Sequence, residues 1–212
     1  MQSKNYVLFL SITAALGGFL FGFDTAVISG AERDIQNLWQ LSDLKHGLAV
    51  AIALYGTVLG ALFGGIPADK YGRKTSLLWI GLFYLVSALG SALAPDVNTF
   101  MFFRFLGGLG VGASSVVAPM YISEIAPAAR RGQLVALYQF NIVFGILIAY
   151  LSNYLLNNGG ENDWRWMLGI EAIPAFLFII ILLFIPESPR WLVLKQGKVE
   201  EARAILSIID AN

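Results

Sequence analysis

The chain has 212 residues, 57% of them hydrophobic and only 13% charged, with 14 cations balanced by 14 anions and no cysteine. An ordinary soluble domain carries about 25% charged residues, so this composition belongs to an integral membrane protein. The lack of cysteine excludes disulfides, thiolate catalysis and cysteine-based metal sites, and the residues offer no metal cluster, no cofactor motif and no net basic charge to attract nucleic acid.

Apolar runs of about 20 residues, enough to cross a bilayer, recur six times. In chain order they are Tyr6 to Ile28, Gly47 to Ile66, Thr75 to Ala94, Phe100 to Tyr121, Leu134 to Leu156 and Trp166 to Ile185. The first is too long for the apolar part of a signal peptide. Short polar connectors make most neighbours antiparallel, with Gly64-Gly65-Ile66-Pro67 and Pro95-Asp96 as breakers. The fold class expected is all-α: a six-helix transmembrane bundle over residues 1–186. Residues 187–212 then begin a cytoplasmic helical linker. There Lys198 to Ile209 places Val199, Ala202, Ile205, Leu206 and Ile209 on one helical face with no evident partner in the chain.

Lys and Arg accumulate on one side of these spans, ten against three, with Arg104 inside a span. By the positive-inside rule the richer side is cytoplasmic, which puts both termini there. Trp164, Trp166 and Trp191 at span ends read as interfacial anchors. Glycines fall within spans, at Gly17, Gly18, Gly22, Gly56, Gly60, Gly64, Gly107, Gly108, Gly110 and Gly112. In lipid, small residues let helix backbones approach closely, so a tightly packed bundle is expected.

Asp24, Arg104 and Glu171 are charges within apolar runs. Such residues cost at least about 2.5 kcal/mol in a membrane helix, and they face protein or a water path and pair with one another. At ~1.5 Å per residue, Asp24 is ~27 Å up from the inner side and the other two ~6–8 Å down from the outer side. All three share the outer third, as a coupling trio or as a permanent Asp24–Arg104 folding pair with Glu171 reaching the outer surface.

The connector Gly65-Ile66-Pro67-Ala68-Asp69-Lys70-Tyr71-Gly72-Arg73-Lys74 resembles the signature between helices two and three of the major facilitator superfamily. It reads as a tight two-glycine turn presenting Asp69, Arg73 and Lys74 for charge pairs that lock and release two bundles. Arg104-Phe105-Leu106-Gly107-Gly108, with Pro119-Met120-Tyr121-Ile122-Ser123-Glu124-Ile125-Ala126-Pro127 and Arg131-Gly132, is similar to the helix-four signature of its sugar porter family. Pro186-Glu187-Ser188-Pro189-Arg190-Trp191 resembles that family's motif after helix six.

The resemblance implies the N-terminal half of a major facilitator fold, a 3+3 inverted repeat, in a proton-coupled monosaccharide symporter of the cytoplasmic membrane working by alternating access. It makes Asp24 the proton carrier, Arg104 its counter-ion and Glu171 a second coupling acid. Gln139 matches a sugar-binding glutamine, with Phe21 as an apolar face and Asn141 and Thr25 as further pocket groups. Counted from Leu134, however, Gln139 is only ~8 Å above the inner side, so either its helix begins deeper or its role is indirect. Gly65, Asp69, Gly72, Arg73, Lys74, Glu124, Arg131, Glu187 and Arg190 would serve conformational gating. The partners implied are a sugar, a proton, the lipid bilayer and a C-terminal six-helix half or second copy that completes the pathway. A carrier of another small polar solute, or a non-transporting half-bundle acting as sensor or assembly partner, are the alternatives; no nucleophile–base cluster suggests an enzyme.

Overall fold

A computed structural model describes residues 3–209, which form ten helices. Six stretches are long and apolar enough to span a membrane. They are α1 (Ser3–Leu38), α2 (Asp43–Phe63), α4 (Arg73–Ala92), α5 (Val97–Ile125), α6 (Arg131–Leu156) and the pair α7 (Asp163–Gly169) and α8 (Ala172–Leu183). Between α2 and α4 lies α3 (Gly65–Tyr71); α9 (Pro189–Gln196) and α10 (Val199–Ile209) follow the bundle. Residues 210–212 of the expected linker lie outside the described residues.

Local chemistry sets the helix ends. Ser42 caps α2 through the Lys45 N–H. Asp96 caps α5 by accepting from the N–H groups of Thr99 at 3.0 Å and Asn98 at 2.9 Å, and these bonds, Thr99's foremost, hold its carboxyl below the usual carboxylate range. Ser188 caps α9 with Pro189 at its start, and Gly197 ends it in the left-handed conformation at φ 65°.

Three expectations need correction. Helix α1 does not stop at Ile28 but continues to Leu38, ~54 Å in all against a ~30 Å hydrocarbon core. Its polar extension stays helical because Ala31 and Ile35 are buried against the outer core. The connector after α2 is not a two-glycine turn. Gly64 itself has helical angles, and Pro67 sits in the first turn of α3, where a missing N–H breaks no bond. The sixth span is not one helix: it breaks at Ile170 and Glu171, because Pro174 cannot donate to the Ile170 carbonyl four residues back.

Close backbone packing joins α1 to α6 and α2 to α5. A Cβ at Gly56 or Gly60 would strike the carbonyls of Phe105 or Leu109, and one at Gly108 or Gly112 those of Ala53 or Thr57. Across the other pair, Gly22 abuts Ile142 and Gly145 abuts Phe19. Counting spans, these are pairs one–five and two–four, which exchange when the first three spans are mapped onto the last three. The caps obey the same symmetry. Lys74, opening span three, donates to the Leu183 carbonyl that ends span six at 3.0 Å. Arg165, opening span six, donates to the Ala92 carbonyl that ends span three at 2.7 Å. A cation at a helix C-terminus satisfies orphan carbonyls and the helix dipole. The bundle is therefore a 3+3 repeat, the N-terminal half of a major facilitator fold.

Two apolar cores fill it. The inner one runs from Val7, Leu10 and Ala126 up to Leu20, Tyr84 and Val111. The outer one gathers Phe23, Ile35, Val97, Phe100 and Trp164. Trp164 is no interfacial anchor: it is wholly buried, with Trp39 edge-on at 5.5 Å and Arg165 over its ring at 4.3 Å. Trp191 too is buried, and its Nε1 donates to the Asp69 carbonyl at 2.9 Å. The amphipathic tail helix does have a partner in the chain. Ala202 and Ile205 pack on Trp191 and Leu192, and Ile209 joins the inner core.

Two glycines on α2 test the packing. Gly60→Ala, which drives a methyl into α5, is expected to lower the melting temperature in detergent by the equivalent of about 1–3 kcal/mol. Gly47→Ala, facing open space on the same helix, is expected to be neutral or stabilising through helix propensity.

Candidate functional site

On each helix that carries a charge of the trio, the charge falls where one core gives way to the other. Asp24 follows Leu20 of the inner core and Phe23 of the outer; Arg104 lies between Phe100 and Val111, and Glu171 between Leu168 and Ala175. Packing of α1, α5 and the α7–α8 break brings all three together, each only 1–2% exposed. Arg104 Nη1 donates to Asp24 Oδ1 at 2.6 Å and Nη2 to the Asp24 carbonyl at 3.1 Å. Glu171 does not reach the outer surface. Its carboxyl comes within hydrogen-bonding reach of Asp24 and feels the charge of Arg104. Its Oε1 has no protein partner, nor has Arg104 Nε. Among the described residues the guanidinium pairs with Asp24, and Glu171 is a second buried carboxyl in its field.

Below the trio, an open groove of about 530 Å³ is lined by Phe21, Ser115, Pro119, Tyr138, Gln139 and Ile142, among others. Gln139 is exposed there. Helix α6 begins at Arg131, earlier than the apolar run suggests, so Gln139 is ~12 Å along it. An amide with free donors and acceptor beside an aromatic face suits a hydroxylated ring. Neither Asn141 nor Thr25 lines this groove. Each bonds a carbonyl one turn back on its own helix, Leu137 and Phe21 respectively, both at 2.8 Å.

At the inner end the motif residues converge. The Arg73 guanidinium grips Glu124 through two parallel bonds of 2.9 and 3.0 Å, donates to the Ala68 carbonyl at 3.0 Å and meets Asp69 at 3.1 Å. Glu187 caps α4 from far along the chain, accepting from the N–H groups of Arg73 at 2.8 Å and Lys74 at 3.0 Å. This cap requires Gly72, whose φ is 99° and whose missing Cβ leaves room for the Glu187 carboxylate. Gly65, by contrast, faces open space, and the close approach belongs to Gly64 against Ala113. Arg131 and Arg190 are exposed and form no ion pair among the described residues.

Several participants lie within the quoted motifs without standing out there as site residues. Ser188 donates to Glu124 at 2.5 Å, and Tyr121 ties its hydroxyl to the Pro186 carbonyl at 2.9 Å. Gly107 provides the gap over which Ser87 Oγ and Asp24 Oδ1 converge. Of these, only the Ser188-Pro189 pair follows a recognisable cap pattern.

Residues 10–212 match the family described as "Sugar (and other) transporter". The chain is 48% identical to a glucose transport protein of Synechocystis over 95% of its own length and 45% of the relative. It is 41% identical to the arabinose-proton symporter of Bacillus subtilis, covering 99% of itself and 46% of that protein. Among solved structures, a proton:xylose symporter bound to a bromodeoxyglucose superposes with a TM-score of 0.93 at 38% identity, over 98% of this chain and 50% of the other. The chain thus spans about half the length of the curated relatives it matches.

Replacing Arg104 by Gln is expected to cost about 3–5 kcal/mol, since it strands buried carboxyls without their cation. Adding Asp24→Asn should recover part of that loss. Thermal melting of both variants in detergent measures it, and equal melting of single and double variants would refute the coupling.

Proposed function

The chain belongs to the sugar (and other) transporter family, and on that premise we propose that it is the N-terminal half of a proton-coupled monosaccharide carrier. In this reading it lies in the cytoplasmic membrane with both termini inside and works by alternating access. The observation that carries the proposal is the buried trio. With one proton on its two carboxyls and Arg104 charged, the trio is neutral; without that proton it carries one net negative charge in a low-dielectric interior. Two states so different in electrostatics can bias a conformational equilibrium, provided each conformation treats them differently. Asp24 then releases or recovers its hold on Arg104 as protons come and go, and Glu171 takes the second carboxyl's part.

The groove with Gln139 and Phe21 is proposed as this half's share of the sugar site. The opposite wall comes from a C-terminal six-helix half or a second copy. Arg73, Glu124, Asp69, Lys74, Gly72 and Glu187 hold the inner ends of the spans together, and the exposed Arg131 and Arg190 are free to pair with the other half during closure. The relatives' substrates, glucose, arabinose and xylose, support a monosaccharide over an organic anion.

In the complete carrier, reconstituted in vesicles with an imposed proton gradient, Asp24→Asn is expected to abolish uphill sugar accumulation while preserving sugar exchange. Undiminished accumulation would sink the coupling role. Competition of uptake by glucose, arabinose, xylose, a polyol and an organic anion identifies the substrate class.

A further inference from the structure

The inner core holds a polar thread that the coupling trio leaves unused. On α5, Arg104, Gly107, Val111 and Ser114 follow one another at helical spacing on a single face. On α4, Tyr84 and Ser87 do the same. Tyr138 of α6, which lines the sugar groove, donates its hydroxyl to Ser114 Oγ at 3.3 Å. Ser114 is wholly buried, as is Tyr84, which packs on α5 one turn away at Gly110 and whose hydroxyl has no hydrogen-bond partner. The titratable groups around this space are Asp24 from α1, Tyr84 from α4, Arg104 from α5, Tyr138 from α6 and Glu171 at the α7–α8 break.

Four buried polar atoms here have no protein partner: Tyr84 OH, Ser87 Oγ, Arg104 Nε and Glu171 Oε1. Buried polar groups are satisfied almost without exception, and where protein does not serve, ordered water does. Gly107 keeps the middle of this space clear of side chain. Outward lie Trp39, Phe100 and Trp164, whose rings meet at 5.5 to 6.4 Å within the outer apolar core, where Ser91 Oγ and Trp164 Nε1 are also unpartnered. Inward and sideways, the hydroxyls lead to the groove.

We propose that Tyr84, Ser114 and Tyr138, with water held at the unpartnered atoms, form a proton relay joining the sugar groove to Asp24 and Glu171. Each oxygen accepts a proton from one neighbour and passes its own to the next, so only O–H bonds form and break and nothing is oxidised. The acids then exchange protons with the groove. Sugar seated over Tyr138 controls that exchange, which gives coupling a physical route. The relay rests on the reading of Asp24 and Glu171 as the proton-carrying acids.

The test uses this chain in lipid nanodiscs, following by infrared spectroscopy how fast the protonated carboxyl band shifts after transfer to heavy water. Asp24→Asn and Glu171→Gln assign the band. Tyr84→Phe and Ser114→Ala remove hydroxyls with little change of volume, and each is expected to slow the shift at least about tenfold. Thr13→Val, which removes a buried hydroxyl of α1 outside the thread, should leave the rate unchanged; circular dichroism verifies that all variants are folded. Wild-type rates in both Tyr84→Phe and Ser114→Ala overturn the relay alone, as does equal slowing in Thr13→Val. A carboxyl band insensitive to both acid substitutions overturns the relay together with the acids' role.

Discussion

Arg104 is the residue on which the arrangement of this bundle turns. A guanidinium only 2% exposed among apolar helices requires an anion, which α1 supplies in Asp24, while Glu171 at the break between α7 and α8 is a second buried carboxyl in its field. That demand selects one rotation for α5 and one height for each neighbour. It also explains the position of Pro174: by breaking the sixth span, it ends α7 and restarts the helix with Glu171 at the junction of the two cores. Breaking such a triad leaves a charge stranded, whereas the intact triad is close to neutral in energy against an apolar replacement. Its retention therefore speaks for function more than for stability.

The inner end shows the same economy with backbone groups. Helix α4 begins at a glycine without a side-chain cap of its own, and Glu187 crosses from the end of the sixth span to supply one. Lys74 returns the favour at the Leu183 carbonyl, and Arg165 repeats it at the opposite face. Spans three and six are thus clamped end to end by charges that neutralise each other's helix dipoles. Glycine contact between spans one and five, and two and four, holds the remaining pairs where no hydrophobic force acts between helices in lipid.

Six spans, their order and the membrane environment are plain in the composition and the length of the apolar runs, because transfer into lipid depends on local hydrophobicity. The trio's members are equally plain, since an ionisable residue stands out against such a background. Harder to see were the helical reading of Gly65 to Tyr71, the extension of α1 past Ile28 and the burial of Trp164. Each depends on neighbours distant in sequence: Ala31 and Ile35 on the outer core, Trp164 on Trp39 and Phe100. Asn141 and Thr25 look like pocket groups in a linear string, yet a hydroxyl or amide in a helix has a carbonyl one turn back always at hand.

By itself, the sequence determined what is set residue by residue: six apolar spans, three intramembrane charges, the glycines within the spans and the motifs that identify the family. Tertiary structure alone decided which groups meet. It buried Glu171 beside the Asp24–Arg104 pair, gave Glu187 to the start of α4, covered the tail helix with Trp191 and the inner core, and joined Tyr138 to Ser114. The reason is physical: a side chain's cost in lipid is local, whereas the partner that relieves it is chosen by the rotation and height at which helices pack.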